Sequence, residues 1–431
     1  MSNGPASNAN WIYDTPIHSD VEAKLRSFLV ELGNADRILG IQVCAYKDGK
    51  VIIDTVAGVL GKDDPRPVQP DSLFPVFSVT KGITSGMVHW LVDKGKLKLD
   101  ENVANIWPEF GVNGKDHIKV YQILNHTSGL HNALAGVSEG DPTLFCDWDK
   151  CLKHIAMVAP ETEPGQQQLY HYLSYGWLCG GIIEHASGKK YQEILEEAFV
   201  RPLNVEGELY VGIPPGVESR LATLTIDEND LIKLGQLAES FRSSASTTTP
   251  STFTYNMVAN LIPLFNNINI RRAILPAANG HVSARAVARF YAALVDGGVV
   301  PSHHPNKTND TNNEVNTKIF TNSKEKVHEA FLGSGDYKDM VLQQGEFGLG
   351  FRWYNTTDGN VFGFGHGGLG GSAGYGDVKN RFAVSVTLNK LSIGVCTAEI
   401  IRFICSELDL PLPADYAGLL SGELAGKPVY K

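Results

Sequence analysis

The sequence predicts an α/β (α+β) fold: one antiparallel sheet built from both ends of the chain, flanked by helices and joined to a mainly helical lobe. Three observations carry this. Strand pairs stand near both termini, an amphipathic helix flanks each set, and the long middle is helical in its periodicity. At 431 residues the chain exceeds what one hydrophobic core holds together, so more than one lobe is expected. The sheet lobe is expected over 15–82 and 296–415, and the helical lobe over 83–295.

Each element has its own signal. Val21, Leu25, Phe28, Leu29 and Leu32 share one helical face, with Gly33 as the stop. Gly40 to Tyr46 and Val51 to Val56 read as strands, joined by the hairpin signal Lys47-Asp48-Gly49-Lys50. Near the other end, Phe347 to Tyr354 and Val361 to Gly365 form one strand pair. Gly374 to Asp377 and Phe382 to Leu388 form another. A last helix carries Val395, Ile400, Ile401, Ile404 and Leu408 as an apolar stripe. Two polar stretches, Ser243 to Thr252 and Ser302 to Lys326, read as surface insertions.

Bulk properties exclude several function classes. The formal net charge of -10 argues against nucleic acid, which needs a basic footprint. No apolar run reaches the length of a membrane span, so no membrane association is expected. The N-terminal stretch has neither the basic start nor the apolar core of a secretory signal, and a cytoplasmic protein is expected. The six cysteines then read as reduced, mostly buried thiols. Cys146 and Cys151 are close in sequence, but no second pair or histidine cluster follows; no metal and no cofactor is expected.

Three motifs bear chemistry. The first is Ser78-Val79-Thr80-Lys81, which follows an apolar run, Leu73 to Phe77, and opens a helix with Ile83, Met87, Val88 and Leu91 apolar. Serine and lysine three apart share a helix face. Buried together, the ammonium is costly, so its pKa falls and the hydroxyl gains a base. The spacing alone is weak, because Ser187/Lys190 and Ser323/Lys326 repeat it. Ser187 sits at a helix end and Ser323 in a polar stretch, whereas Ser78 starts an amphipathic helix. A capping serine is the competing reading of Ser78. The second motif is Tyr170-His171-Tyr172, after the Pro164-Gly165 turn and ahead of a helix running to Gly188. A phenol beside a lysine can shuttle a proton. Tyr170, Tyr172 and Tyr175 compete for that role, and core packing explains any of them. The third is Gly365-His366-Gly367-Gly368-Leu369-Gly370-Gly371-Ser372, where glycines allow a close backbone approach to a ligand and His366 offers a donor or acceptor.

In this order the motifs resemble those of the serine β-lactamase and penicillin-binding-protein superfamily, above all the branch with class C β-lactamases and β-lactamase-like esterases. Ser78 to Lys81 is similar to the S-x-x-K motif, Tyr170 to Tyr172 to Y-x-N, and His366 to Gly368 to K-T-G or H-x-G. Leu124-Asn125-His126-Thr127-Ser128-Gly129-Leu130 and Phe347-Gly348-Leu349-Gly350-Phe351 are further family-like phrases. The resemblance spans about residues 20 to 410. It implies a β-lactamase/transpeptidase-like fold with the active site between the lobes. It also implies that Ser78 is acylated, that Lys81 and Tyr170 handle its proton, and that His366, Gly368 and Tyr172 bind substrate. The backbone N–H groups of Ser78 and Leu369 would form the oxyanion hole. Two departures, Tyr172 in place of Asn and His366 in place of Lys, disfavour β-lactams and D-Ala-D-Ala peptides. They favour small esters or lactones, with Tyr172, Trp177, Trp353 and Tyr354 as candidate pocket walls. The expected enzyme is therefore a serine hydrolase of the carboxylesterase type, acting on a small ester, lactone or acyl donor. An acyltransferase using the same acyl-enzyme, an aminopeptidase or amidase, and a catalytically silent binding protein are the alternatives. A homo-oligomer is compatible with the sequence.

Overall fold

The computed structural model describes residues 11–134, 142–244, 255–302 and 317–422. Its centre is a seven-stranded antiparallel sheet. The strands are β1 (Gly40–Lys47), β2 (Lys50–Gly61), β3 (Asp64–Pro67), β4 (Arg352–Asn355), β5 (Val361–Gly367), β6 (Ala373–Asp377) and β7 (Phe382–Leu388), in the spatial order β3-β2-β1-β7-β6-β5-β4. The two ends of the chain meet where β1 pairs with β7, in register from Ile41 against Leu388 to Lys47 against Phe382. The sheet expected from both termini is thus closed by a single central seam.

That seam is covered on both faces. Helix α1 (Asp20–Asn34) and helix α5 (Val395–Glu407) pack together, with Phe28 stacked on Phe403 at 5.5 Å between ring centres. Tyr375 of β6 points toward α5, its hydroxyl 3.7 Å from Cys405 Sγ. Its neighbours Gly374 and Gly376 point the other way, onto Val287, Tyr291 and Val295 of helix α4 (Ala284–Val295). Successive strand residues face opposite sides of a sheet, so α4 covers the face opposite α5. Double coverage explains why β1 is buried from Gly40 to Tyr46 with no polar alternation. A bidentate pair between Arg285 and Asp54, with contacts of 2.6–2.9 Å, ties α4 to β2.

Helix α2 (Val79–Asp93) runs almost wholly buried behind the sheet, against helix α3 (Ser174–Ser187) of the helical part. Helix α3 ends, as its sequence suggests, on Gly188 in the left-handed conformation.

Three expectations are revised. Helix α4 lies within the range expected for the helical lobe, 83–295, yet packs on the sheet. The strand expected from Phe347 is shorter: it covers Arg352–Asn355, and a turn that returns the Gly348 N–H to the Phe351 carbonyl at 2.9 Å leaves Phe347 in an isolated bridge with Arg352. The polar insertion expected over 302–326 is narrower, since Ile319 and Phe320 are buried and Lys324–Leu332 is a helix. Residues 303–316, and 245–252 of the other stretch, lie outside the described residues. Among the described residues no helix is long and apolar enough to cross a membrane.

Candidate active site

Ser78 stands at the N-terminal end of α2, but it does not cap it: its side chain makes no capping bond. The preceding Phe77 holds φ at +45°, a conformation that side chains rarely adopt. Thr80 supports the bend, its hydroxyl donating to the Phe77 carbonyl and accepting the Gly280 N–H at 2.8 Å. The serine hydroxyl is thereby left for Lys81, whose Nζ lies 3.1 Å from Ser78 Oγ.

Lys81 is completely buried. Its other partners are two carbonyl oxygens, Tyr172 at 2.7 Å and Ala277 at 3.0 Å. Burial in this place, with no adjacent carboxylate among the described residues, holds its pKa well below that of an ordinary lysine. The Ala277 carbonyl is set by α3: a Cβ on Gly176 would stand 2.5 Å from the Ala277 nitrogen, so only glycine permits that approach.

Tyr170 is the tyrosine that reaches the site. Its ring lies 4.8 Å from Lys81 Nζ, and its hydroxyl is 3.4 Å from His366 Nε2. Tyr175 is instead buried against Ser85, its hydroxyl 2.6 Å from Ser85 Oγ. Tyr172 contributes through its backbone carbonyl; its phenol, largely buried, is pushed up to about 12. His366 Nδ1 lies 2.7 Å from the Gly367 carbonyl, so that nitrogen carries the proton and Nε2 accepts from Tyr170. Burial, reinforced by the Lys81 charge, pushes the His366 pKa down to about 3, which leaves a neutral ring near pH 7.

The turn after His366 reaches the chain just ahead of Ser78. A Cβ on Gly368 would stand 2.2 Å from the Val76 carbonyl oxygen, and Leu369 follows in the same turn. Among the described residues, neither the Ser78 nor the Leu369 backbone N–H has a protein acceptor.

The structure therefore brings Ser78, Lys81, Tyr170 and His366 into one cluster, with the Gly368–Leu369 turn beside it. The other two serine-lysine spacings are local structure: Ser187 Oγ donates to the Ile183 carbonyl at 2.7 Å, and Ser323 caps its helix. Three expected pocket residues are packing residues. Trp177 is buried 5.7 Å from Phe145, Trp353 donates to the Leu332 carbonyl at 3.0 Å, and Tyr354 stacks on Tyr375 at 4.5 Å. Sequence reasoning passed over His126 and His171 as site residues. His126 lies ring to ring with Tyr170 at 4.8 Å, and the phrase Leu124 to Leu130 was its only signal.

A family model described as beta-lactamase matches residues 25–402. The esterase/beta-lactamase LipL of Mycobacterium tuberculosis is 29% identical over 357 residues, covering 82% of this chain and 78% of its own. Esterase EstB of Burkholderia gladioli is 28% identical over 193 residues, 42% of this chain and 49% of its own. A penicillin-binding protein homologue from Caulobacter crescentus superposes with a TM-score of 0.67 at 27% identity, covering 88% of this chain and 94% of its own. A family VIII carboxylesterase gives a TM-score of 0.69 at 24% identity over 88% of this chain and 94% of its own, a likeness of fold alone. Motifs, architecture and family model agree: this chain belongs to the beta-lactamase family.

Proposed function

We propose that the protein is a serine hydrolase that forms an acyl-enzyme on Ser78 and hydrolyses small carboxylic esters or lactones. The observation that carries this reading is the set of three partners around Lys81 Nζ, two carbonyl oxygens and the Ser78 hydroxyl. Carbonyl oxygens only accept. A neutral amine has two N–H bonds and one lone pair. Both N–H bonds are used by the Tyr172 and Ala277 carbonyls, so the lone pair is left facing the Ser78 hydroxyl. Lys81 is then the base that takes the Ser78 proton as Oγ attacks the acyl carbon.

The oxyanion formed in that step is held by the N–H groups of Ser78 and Leu369. The proton on Lys81 passes to the leaving alkoxide, with Tyr170 alongside to relay it. A water attacks the acyl-enzyme by the reverse route and releases the acid. The neutral His366 supplies no cation for a substrate carboxylate, and Tyr172 supplies no side-chain amide. Both features favour a plain ester over a penicillin. The names of LipL and EstB are in line with an esterase. The five buried cysteine thiols, Cys44, Cys151, Cys179, Cys396 and Cys405, support a reducing compartment and hence the cytoplasm.

The test is to trap the intermediate. Acid quench during turnover of p-nitrophenyl butyrate should yield a Ser78 peptide heavier by one butyryl group. Turnover with the acyl group on another residue, or with no acylated peptide, would overturn the mechanism.

A further inference from the structure

Two of the contacts that define the Lys81 environment come from one short stretch of chain. The Tyr170 ring and the Tyr172 carbonyl both belong to the stretch 169–172, which has no regular secondary structure of its own. Something outside the stretch must fix it. The residue between the two, His171, is completely buried. Its Nδ1 donates to the Leu169 carbonyl at 2.6 Å, and its Nε2 accepts from the Ser128 hydroxyl at 2.7 Å. Its backbone N–H donates to His126 Nδ1 at 3.2 Å. The Leu169 N–H donates to the His126 backbone carbonyl at 2.9 Å.

His126 holds φ at +62°, so its backbone is bent to offer both carbonyl and ring to the same stretch. Its ring is wedged between Tyr170 and Tyr175, each 4.8 Å away, with Phe347 edge-on at 4.6 Å. Two bonds of this set end on a ring nitrogen, Ser128 on His171 Nε2 and the His171 N–H on His126 Nδ1, so each requires that nitrogen unprotonated. Burial pushes both rings well below the usual histidine range, His171 to about 3.

We infer that His126, His171 and Ser128 are positioning residues, which latch the stretch 169–172 so that Tyr170 and the Tyr172 carbonyl stand correctly on Lys81. Their assignment to catalysis rests on the acyl-enzyme reading above; the latch itself does not. All three are buried. They act by keeping Lys81 walled in, and burial is what makes Lys81 a base. Lys81 is faced by Tyr170 from this stretch, by His366 from β5, by His126 from behind and by Cys179 from α3.

The experiment reads Lys81 directly, by titrating its ¹³Cε resonance in the full-length protein, with Lys81→Met to assign the signal. His126→Leu removes the acceptor and admits water to the stretch. Its Lys81 midpoint should rise by about one pH unit toward that of a free lysine. His126→Asn should restore the wild-type midpoint, because asparagine tolerates a positive φ and its amide oxygen replaces Nδ1 as acceptor. Ser128→Ala, a smaller change, should move the midpoint the same way and covers the case in which His126→Leu does not fold. On an ester, the two disruptive variants should lose about tenfold in kcat with KM nearly unchanged. An unmoved midpoint in Ser128→Ala and His126→Leu, or an asparagine variant as shifted as the leucine one, would overturn the latch. An inactive wild type with the expected midpoints would overturn the hydrolase reading and leave the latch standing.

Discussion

Lys81 Nζ lies 3.1 Å from Ser78 Oγ, one turn into a buried helix and with backbone carbonyls as its other acceptors. A lysine so placed is stabilised as a neutral amine rather than as an ion pair, and most of the expected behaviour of the protein follows from that.

Removing the Ser78 hydroxyl removes the proposed nucleophile and little else. Ser78→Ala should lower kcat on short-chain p-nitrophenyl esters by about 10³-fold or more. Its melting temperature should stay close to wild type, since Ser78 makes no capping bond. Wild-type rates in the folded variant would falsify the nucleophile assignment.

A fluorophosphonate probe should label Ser78 alone, and Lys81→Ala should abolish labelling. Peptide mass spectrometry distinguishes the three serine-lysine spacings. Ser187 and Ser323 are committed to a helix carbonyl and a helix cap. Adduct on either one would refute the choice of Ser78.

The rate should depend on pH through Lys81. Only the neutral amine accepts the Ser78 proton, so kcat/KM should fall as pH drops through the lowered Lys81 pKa. A stopped-flow or plate-based pH profile should show that acidic limb. Activity rising toward acid pH would contradict the base role.

Stability should fall with acid for a related reason. Burial holds His89 at about 4 and His171, His281 and His366 at about 3, against 6.5 in an unfolded chain. Below pH 6.5 the unfolded state therefore binds more protons, and stability is lost as pH falls toward those values. His126, His131 and His328 are lowered as well, so His18, raised by its bond to Glu22, is one group acting in the opposite sense against seven. Between pH 6.5 and 5, where most carboxylates stay ionised, the melting temperature should drop by on the order of 5 °C. A flat profile there would show that the buried histidines are not neutral.

Gly368→Ala tests the turn beside the nucleophile. A Cβ there would stand 2.2 Å from the Val76 carbonyl oxygen, so the turn must withdraw and carry the Leu369 N–H with it. We expect a loss of about 10²-fold in kcat. Gly49→Ala, which meets no atom within 4 Å but is strained by a φ of +75°, serves as the control for backbone strain in the β1–β2 hairpin and should leave kcat unchanged. Equal kinetics for both would remove the turn from the site.

Penicillins should be poor substrates. Nitrocefin should be hydrolysed about 10²-fold less efficiently, in kcat/KM, than a short-chain ester, because the site offers neither an amide at Tyr172 nor a cation at His366. Comparable efficiencies would show that neither residue restricts the substrate.

The sequence by itself determined the local patterns. The hairpin at Asp48-Gly49, helix α1, strands β5 to β7 and the order of the three motifs are written in short-range spacing, which needs no tertiary contact to read. Even the pairing of both termini was legible, since each end supplies strands whose apolar faces need cover. Only the tertiary structure decided among residues with identical local credentials. Three serines precede a lysine by three residues, and three tyrosines crowd residues 170 to 175. Ser78 and Tyr170 are separated from the others by what folds against them from far along the chain: Ala277, Gly176 and His366. The same holds for His126 and His171, whose roles come from a bent backbone and from partners such as Ser128, 43 residues from His171. Burial of Lys81 is of this kind as well. Spacing places a lysine near a serine, but desolvation makes it a base, and desolvation exists only once the lobes are packed.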